Sequence, residues 1–308
     1  MKIGIIGATG GIAAKAYLPV YASLQSEHDF ILYSRKLEEA EKIRKKYGFP
    51  KATHLLANLD NVDMVFIHAA TSVHYKLAKY FLDKKIPVVM DKPISENIQE
   101  TRELLELAKS KKLIFLIAFN RRFAPAVQEL KDLANKTFVK VTKNVLANDK
   151  PVKFNLYDMF IHPLDTLIYL LDDEIIKIDS QLVTEDDRLK RALVFVQTKT
   201  TTGLASMNLE AGAFQEEFTV EAKSASKRLT DLTEKIKFEN FETQKGHTNG
   251  WLSATYLRGF DDLIKTAIAS VEGKEVDLRQ ENILQSHEII EEMLVKLEGE
   301  VINGTDKN

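Results

Sequence analysis

Short apolar segments alternate with longer helical patterns over the first 120 residues of the chain. The apolar segments are nearly continuous in Val, Ile, Leu, Phe and Met, which is typical of parallel strands buried on both faces. They cover residues 2–6, 30–33, 64–67, 87–90 and 113–118. The segments between them, residues 13–26, 37–47, 73–83 and 98–110, are rich in Ala, Leu, Glu and Lys. This alternation predicts βαβ units around a parallel sheet, which binds ligands at the carboxyl ends of its strands.

The pattern changes in the second half of the chain. Shorter alternating segments separated by turns, such as residues 193–198 and 204–209, predict a largely antiparallel sheet. A chain of 308 residues rarely folds around a single core. We therefore predict the α/β class with three parts: an N-terminal Rossmann domain with a doubly wound parallel sheet (residues 1–122), a C-terminal α+β domain with a large, mostly antiparallel open sheet (residues 123–298), and a flexible tail (residues 299–308).

Composition excludes several classes of protein. The formal net charge is -2, so no excess of positive charge favours a nucleic-acid partner. There is no cysteine, which excludes disulfides, thiolate metal sites and a cysteine nucleophile and fits a reducing compartment. No segment approaches the ~20 apolar residues that span a bilayer, and the amino terminus lacks the apolar stretch of a signal peptide. We expect a cytoplasmic protein that binds neither nucleic acid nor membrane.

A glycine-rich segment follows the first predicted strand and precedes a predicted helix. Glycines at such a turn let backbone amides approach a pyrophosphate, and the helix N-terminus adds its dipole. The spacing Gly-x-x-Gly-x-x-Ala is one residue longer than the usual Gly-x-Gly-x-x-Gly. The segment predicts dinucleotide binding, and the alternative is an ordinary strand–helix turn. The candidate cofactor residues are Gly7, Thr9, Gly10, Gly11 and Ile12.

The end of the second predicted strand favours one form of the cofactor. An NAD enzyme usually carries an acid there to bind the ribose 2′-hydroxyl, but Asp29 lies at the opposite end of the strand. Ser34 and Arg35 follow the strand instead, and a guanidinium binds a 2′-phosphate with paired hydrogen bonds. We predict NADP(H), with NAD(H) possible. The alternative is that Arg35 is a solvated residue that opens the next helix.

Several motifs in a fixed order resemble the Gfo/Idh/MocA oxidoreductases, a family that includes glucose-fructose oxidoreductase and inositol dehydrogenase. They are the glycine segment, Ala-Ala-Thr-Ser-Val-His at residues 69–74, Asp-Lys-Pro at 91–93, Asn-Arg-Arg-Phe-Ala-Pro at 120–125 and Tyr-Asp-Met-Phe-Ile-His-Pro-Leu-Asp at 157–165. The strips KAYLP, NRRFAP and YDMFIHPLD look most like the MviM-like branch. The resemblance implies an NAD(P)-dependent dehydrogenase or reductase whose first domain binds cofactor and whose second domain binds substrate and forms a homodimer or homotetramer.

Asp91-Lys92-Pro93 stands where the family has Glu-Lys-Pro. The resemblance implies that Lys92 donates or accepts a proton or binds substrate, and that Asp91 and Lys92 lie at the cofactor. Moving a hydride to or from a carbon–oxygen bond requires a proton to move at the oxygen. A lysine desolvated beside a positive nicotinamide should have a lowered pKa, and Pro93 ends the strand that carries it. The alternative is a solvated turn.

A second candidate site lies at residues 157–165. At 100° per residue, His162, Asp165 and Tyr169 share one face of a helix that we expect to begin near Met159, with Asp158 at its entrance. The segment resembles the family's Asp-x-Gly-x-His-x-x-Asp. This implies His162 as general acid/base or substrate ligand and Asp158 as its orienter or a substrate ligand. A metal held by these two residues lacks further ligands, so we predict none.

The resemblance implies additional cofactor contacts elsewhere. They are Ala70, Thr71 and His74 after the fourth strand and Arg121 at the domain junction. Core packing is an alternative for His74. For Arg121 and Arg122, one could bind cofactor or substrate while the other forms a salt bridge.

The leading prediction is an NADP-dependent oxidoreductase that acts on a small molecule: a sugar, a polyol or a related hydroxy/keto compound. The alternative is a regulatory protein that binds NADP on the same fold without turnover, since a fold does not determine function. A third possibility is redox-assisted cleavage of a glycosidic bond with a retained NAD, against which Ser34 and Arg35 argue.

Overall fold

The computed structural model describes residues 1–305, and spatial contacts divide the chain into two units. The first unit comprises Met1–Asn120 and Gly259–Gln280, and the second comprises Arg121–Arg258 and the chain from Glu281 onward. The sequence predicted one boundary, after residue 122. The chain instead passes between the units three times, because residues 259–280 return to the first unit.

The first unit is built on a six-stranded parallel sheet in the order β3-β2-β1-β4-β5-β6. Its strands are β1 (Lys2–Ile6), β2 (Asp29–Tyr33), β3 (Lys51–Thr53), β4 (Met64–Ile67), β5 (Val88–Met90) and β6 (Phe115–Ile117). Its α-helices are α1 (Leu18–Ser23), α2 (Leu37–Tyr47), α3 (His74–Asp83), α4 (Ile98–Lys111) and, from the returning segment, α9 (Phe260–Val271). Short 3₁₀ turns cover Leu56–Leu59 and Thr71–Val73. The strand order is that of a doubly wound sheet, so the predicted Rossmann architecture is confirmed.

Local sequence explains the helix boundaries of this unit. The Asn97 side chain accepts hydrogen bonds from the amides of Gln99 and Glu100 and so caps the start of α4. α2 ends at Gly48, whose φ of 75° places it in the left-handed region that glycine adopts without strain. The apolar strands between these helices are buried, which leaves their carboxyl ends as the polar edge where loops can present function.

The second unit contains an eight-stranded sheet in the order β14-β13-β12-β11-β7-β10-β9-β8. Its strands are β7 (Lys136–Asn144), β8 (Lys177–Glu185), β9 (Arg188–Gln197), β10 (Thr202–Asn208), β11 (Gln215–Ala222), β12 (Ser226–Thr230), β13 (Glu234–Glu239) and β14 (Glu242–His247). Only β7 and β10 pair in parallel among these described strands, so the predicted, mostly antiparallel sheet is confirmed. The polar strands β13 and β14 were not predicted, because they lack the apolar alternation that marks a half-buried strand.

The helices of the second unit pack on its sheet and on one another. They are α5 (Pro125–Lys131), α6 (Val152–Asn155), α7 (Ile161–Leu170), α8 (Ala254–Leu257) and α10 (Ile283–Thr305), and a 3₁₀ turn covers Asn120–Phe123. α7 lies very close to β10, since a Cβ at Gly203 would lie 2.9 Å from Leu167 Cδ1. Glycine at this position therefore lets the apolar face of α7 pack onto the strands.

Two π-helical turns precede prolines, one in each unit. Ala13–Tyr17 leads into α1, where Pro19 lies in the first turn, and Leu156–Phe160 leads into α7, which contains Pro163. Proline has no N–H for the ordinary helical bond, and a π turn changes the bonding pattern just before it. The helix that carries His162 was predicted to begin near Met159. This prediction was wrong, because helical backbone runs from Val152 and Asp158 lies inside the π turn.

Two further observations concern the whole chain. No helix within residues 1–305 combines the length and apolar character needed to cross a membrane. α10 is described as far as Thr305, and residues 306–308 lie outside the described residues, so the flexible tail predicted for 299–308 stays a prediction.

Candidate functional site

The glycine loop after β1 is folded tightly against the loop after β4. Gly7 has a φ of +82°, and a Cβ there would lie 2.6 Å from the backbone nitrogen of Ala69 and 2.7 Å from the oxygen of His68. The amide of Gly10 donates to the Gly7 carbonyl over 2.9 Å and closes the turn. Gly7 is therefore required by the packing of the protein itself.

Gly11 has no such internal requirement. A Cβ at Gly11 would meet nothing within 4 Å, and Gly11 and its neighbours Thr9 and Ile12 are exposed. The loop thus presents bare backbone at the carboxyl edge of the sheet, just before the helical turn that begins at Ala13. This arrangement fits a dinucleotide, whose pyrophosphate needs close approach to backbone amides.

The end of β2 carries a free cation and no carboxylate. Ser34 is held by its amide, which donates to the Thr53 carbonyl over 3.2 Å, while its Oγ accepts from the amide of Lys36. Arg35 is exposed, and within residues 1–305 its guanidinium has neither a hydrogen bond nor an ion pair. Lys36 differs, since it pairs with Glu39 over 3.2 Å. Arg35 is therefore available to a ligand anion.

Asp91 and Lys92 directly follow β5, as the sequence predicted. The Asp91 amide donates to the Ile67 carbonyl over 3.0 Å, and the Lys92–Pro93 peptide is cis. Lys92 is half-buried. The Asp91 carboxylate, expected at the cofactor, is instead bound by protein groups: it accepts from the Tyr17 hydroxyl and lies 3.1 Å from His68 Nδ1. Burial alone would raise the pKa of Asp91, but the His68 ring and these hydrogen bonds hold it below its ordinary value.

His68 joins Asp91 to a second tyrosine. His68 Nε2 lies 2.9 Å from the Tyr21 hydroxyl, and the ring of Tyr17 stacks on His68 with centroids 3.9 Å apart. Burial, reinforced by Asp91, raises the pKa of both tyrosines well above their ordinary value. Neither His68 nor the two tyrosines was predicted as a site residue from the sequence. Their spacing of four, on one face of the helix after the glycine loop, is the signal that could have indicated them.

His74 ties together two loops at the same edge of the sheet. Its ring nitrogens lie 2.8 Å from the Pro93 carbonyl and 2.9 Å from the Ala69 carbonyl. Burial lowers the pKa of His74 despite these two acceptors. The ring of His74 thus lies between the backbone of the Lys92 turn and that of the loop after β4, and its predicted contact with the cofactor stays a prediction. Ala70 and Thr71, the neighbouring candidates, remain partly or fully exposed.

Both arginines of the Asn-Arg-Arg motif bind carboxylates of the second unit. Arg121 Nη2 donates to both Glu216 oxygens over 2.8 and 2.7 Å. Burial would raise the pKa of Glu216, but Arg121 and Lys143 hold it below its ordinary value. Arg122 binds Asp165 through two hydrogen bonds of 2.9 and 2.8 Å, and both side chains are buried. Arg121, expected at the cofactor, is thus engaged with protein.

The polar side chains of the stripe around His162 differ in burial: Asp165 and Tyr169 are buried, and Asp158 and His162 are partly exposed. Asp165 belongs to the buried pair with Arg122, although burial raises its pKa against the effect of the guanidinium. The Arg122 guanidinium also lies over the ring of Tyr169, with its Cζ 5.1 Å from the ring centroid. His162 and Asp158 are half-buried, and His162 borders a small space that is also lined by Arg121 and Glu216. The roles of Asp158 and His162 stay predictions.

Among the described residues, no group of three or more histidine and acidic side chains is arranged to hold a metal ion.

The fold and the glycine loop define a protein with a dinucleotide-binding Rossmann unit. Residues 1–119 match the model of the family described as "Oxidoreductase family, NAD-binding Rossmann fold" (GFO_IDH_MocA). A Gfo/Idh/MocA oxidoreductase from Vibrio cholerae, solved by crystallography, is 28% identical, with 98% of this chain and 99% of that chain covered and a TM-score of 0.88. The chain is thus similar to the Gfo/Idh/MocA oxidoreductases, in its first 119 residues by the family model and over nearly its whole length by fold.

Two curated relatives match shorter regions. The oxidoreductase YceM of Salmonella typhimurium is 32% identical over 60% of this chain and 61% of its own length. The scyllo-inositol 2-dehydrogenase (NADP(+)) IolU of Bacillus subtilis is 29% identical over 44% of this chain and 42% of its own. The chain thus spans about three fifths or less of these relatives. The MviM dehydrogenase of Clostridium difficile shares the fold, with a TM-score of 0.88 at 24% identity over 96% of this chain and 99% of that one.

Proposed function

We propose that the protein is an NADP-dependent oxidoreductase that transfers a hydride between the cofactor and a sugar, a polyol or a related hydroxy/keto compound. The observation that carries this proposal is the open glycine loop beside the Lys92 turn at the carboxyl edge of one parallel sheet. The names of relatives, among them scyllo-inositol 2-dehydrogenase and UDP-N-acetylglucosamine 3-dehydrogenase, support a hydroxyl-bearing substrate.

The cofactor would be held by backbone and by one exposed cation. The amides around Gly10 and Gly11 would bind the pyrophosphate, with Thr9 and Ile12 flanking it. Ser34 and Arg35 would bind the 2′-phosphate, because no carboxylate follows β2 to repel it. When bound, NADP(H) supplies the hydride acceptor or donor.

The chain itself would supply the proton transfer. Oxidation of an alcohol releases its hydroxyl proton, and reduction of a ketone requires one, so a positioned acid/base is needed at that oxygen. We assign Lys92 to this proton transfer or to substrate binding. Pro93 and the contact of the His74 ring with the Pro93 carbonyl hold the turn that carries Lys92. His162 would act as a second proton carrier or bind a substrate hydroxyl, and Asp158 would orient it.

The first experiment is a fluorescence titration of the purified protein with NADPH and NADH, followed by a screen of polyols, sugars and sugar acids with NADP⁺. We expect NADPH to bind more tightly and at least one compound to be oxidised. Lys92→Ala should retain NADPH binding and lose turnover. A protein that binds NADPH and turns over no compound of these classes would instead fit a regulatory role.

We further propose a cytoplasmic homodimer or homotetramer. The face of the second sheet opposite α7 carries an apolar pair on neighbouring strands, in which Phe195 is 48% exposed and lies opposite Leu204. Lys140 and Glu217 border this pair with opposite charges. A second copy could cover it, and a chain without cysteine suits a reducing compartment. Light scattering should give at least twice the monomer mass at micromolar concentration, and Phe195→Glu should lower it.

A further inference from the structure

Four side chains form one buried hydrogen-bonded chain in the first unit: Tyr17, Asp91, His68 and Tyr21. Tyr17 donates to one carboxylate oxygen of Asp91, and His68 Nδ1 lies 3.1 Å from the other. His68 Nε2 lies 2.9 Å from the hydroxyl of Tyr21. Both tyrosines and His68 are buried, and the Asp91 side chain is 14% exposed. The proposed chemistry uses none of the four side chains.

The hydrogen bonds determine where the protons lie. An ionised Asp91 can only accept, so His68 must carry its proton on Nδ1. His68 Nε2 shares a hydrogen bond with the Tyr21 hydroxyl, which has no other partner within the described chain. The pKa of Asp91 lies below its ordinary value and burial raises the pKa of both tyrosines, so the negative charge among these side chains is located on Asp91.

That charge exceeds what packing requires. Burying a carboxylate is costly unless donors compensate it, whereas an amide of the same shape avoids most of the cost. An asparagine could accept from Tyr17 and donate to His68 in its other tautomer. A purely structural link between these segments would thus favour a neutral residue at this position.

The negative charge lies where it can act on a bound cofactor. Asp91 directly precedes Lys92, and the glycine loop packs on the backbone of His68, since a Cβ added at Gly7 would lie 2.6 Å from the His68 carbonyl carbon. The oxidised nicotinamide ring is positive, and the reduced ring is neutral. A fixed negative charge at this edge stabilises the oxidised form more than the reduced form, and a site of low polarity strengthens the effect.

We propose that Asp91 is a positioning residue whose buried charge, held by Tyr17 and His68, biases binding toward the oxidised cofactor. The inference rests on the proposed function, because it requires NADP(H) at the glycine loop. It gives Asp91 a role through the field of its charge instead of through contact with cofactor or substrate.

The test compares dissociation constants of NADP⁺ and NADPH by calorimetry. We expect Asp91→Asn to raise the ratio Kd(NADP⁺)/Kd(NADPH) by about fivefold or more, because only the oxidised ring loses an attraction. Asp91→Glu, which keeps the charge, should leave the ratio within about twofold of wild type. Should Asp91→Asn fail to fold, Asp91→Ser is a second neutral variant.

The chain offers a matched control in Asp60. Its carboxylate also accepts from a tyrosine, Tyr80, over 2.7 Å, but it precedes β4 and so lies at the opposite edge of the sheet. Asp60→Asn should leave the ratio unchanged. An unchanged ratio in the neutral Asp91 variants, or an equal loss of both affinities, would overturn the inference while leaving the proposed function standing. If wild-type protein binds no dinucleotide, the proposed function fails first.

Discussion

At the scale of single residues, some glycines and cationic side chains are required by the fold, and others are accessible to a ligand. Gly7 is held in place by backbone contacts, whereas Gly11 faces open space. Lys36 is neutralised by Glu39, whereas Arg35 next to it has no ion pair among the described residues. Neighbouring residues of one type thus supply matched variants that distinguish binding from folding.

Arg35→Ala should weaken NADPH binding and leave NADH binding almost unchanged. A charge-assisted contact of about 1.5–3 kcal/mol corresponds to a loss of about ten- to a hundredfold. NADH lacks the 2′-phosphate and should change by less than about twofold. Fluorescence titration of both cofactors measures this, and Lys36→Ala is the control. Equal losses for NADPH and NADH would contradict the assignment of Arg35.

Gly11→Val should leave the fold intact and weaken NADPH by about tenfold or more, because the added side chain would occupy the space over the loop. Gly7→Ala should instead destabilise the protein by about 2 kcal/mol or more, since its φ is positive and its Cβ would overlap the backbone. Gly250→Ala, also in open space, is the neutral control. Chemical denaturation and NADPH titration separate these effects. A Gly11 variant with unchanged NADPH affinity would count against the loop as the cofactor site.

At the scale of elements, two helices of the second unit contain buried polar side chains. Asp165 on α7 forms a buried pair with Arg122, which explains one member of the polar stripe that the sequence showed. α10 contains His287, which is fully buried and lies with Nδ1 3.1 Å from the Ile283 carbonyl one turn earlier. Burial lowers the pKa of His287 from its ordinary 6.5 to about 4.

This depressed pKa makes stability depend on pH. Between about pH 6.5 and 4 the unfolded chain binds a proton at this histidine that the folded chain does not, so acid favours unfolding. The contribution of His287 is fully present above about pH 6.5 and is lost as pH falls toward 4, by up to about 3 kcal/mol. His287→Asn, which keeps a donor but does not titrate, should flatten this part of the curve. Urea unfolding from pH 7.5 to 4 measures it, and parallel curves would refute the assignment.

At the scale of the whole molecule, residues 259–280 complete the first unit. Phe260 in α9 is 6% exposed and packs edge-on against Tyr17 with centroids 5.0 Å apart. A segment distant in sequence therefore covers the helix that follows the glycine loop.

Phe260→Ala should destabilise the protein by about 3–5 kcal/mol, the usual loss for a buried phenylalanine. Phe241→Ala is the control, since Phe241 is fully exposed in the second unit and its loss should cost less than about 0.5 kcal/mol. Saturating NADPH, at about 100 times its Kd, should recover about 2.7 kcal/mol if the first unit binds it. Calorimetry with and without NADPH measures both effects. Equal destabilisation by the two variants would contradict the placement of α9 in this unit.

The sequence by itself determined the architecture of this protein, because buried strands and amphipathic helices leave periodic apolar patterns that do not depend on distant contacts. It placed five of the six strands of the first sheet, missing the short β3, and it placed Lys92 at the end of β5. Only the tertiary structure decided which polar side chains are free to act. Asp91, His74 and Arg121 were expected at the cofactor, but partners far away in sequence engage them. Hydrogen bonds between distant segments, such as those of Asp91 with Tyr17 and His68, leave no periodic trace in a sequence. The return of residues 259–280 to the first unit was hidden for the same reason, since an amphipathic helix shows that it has a partner but not which one.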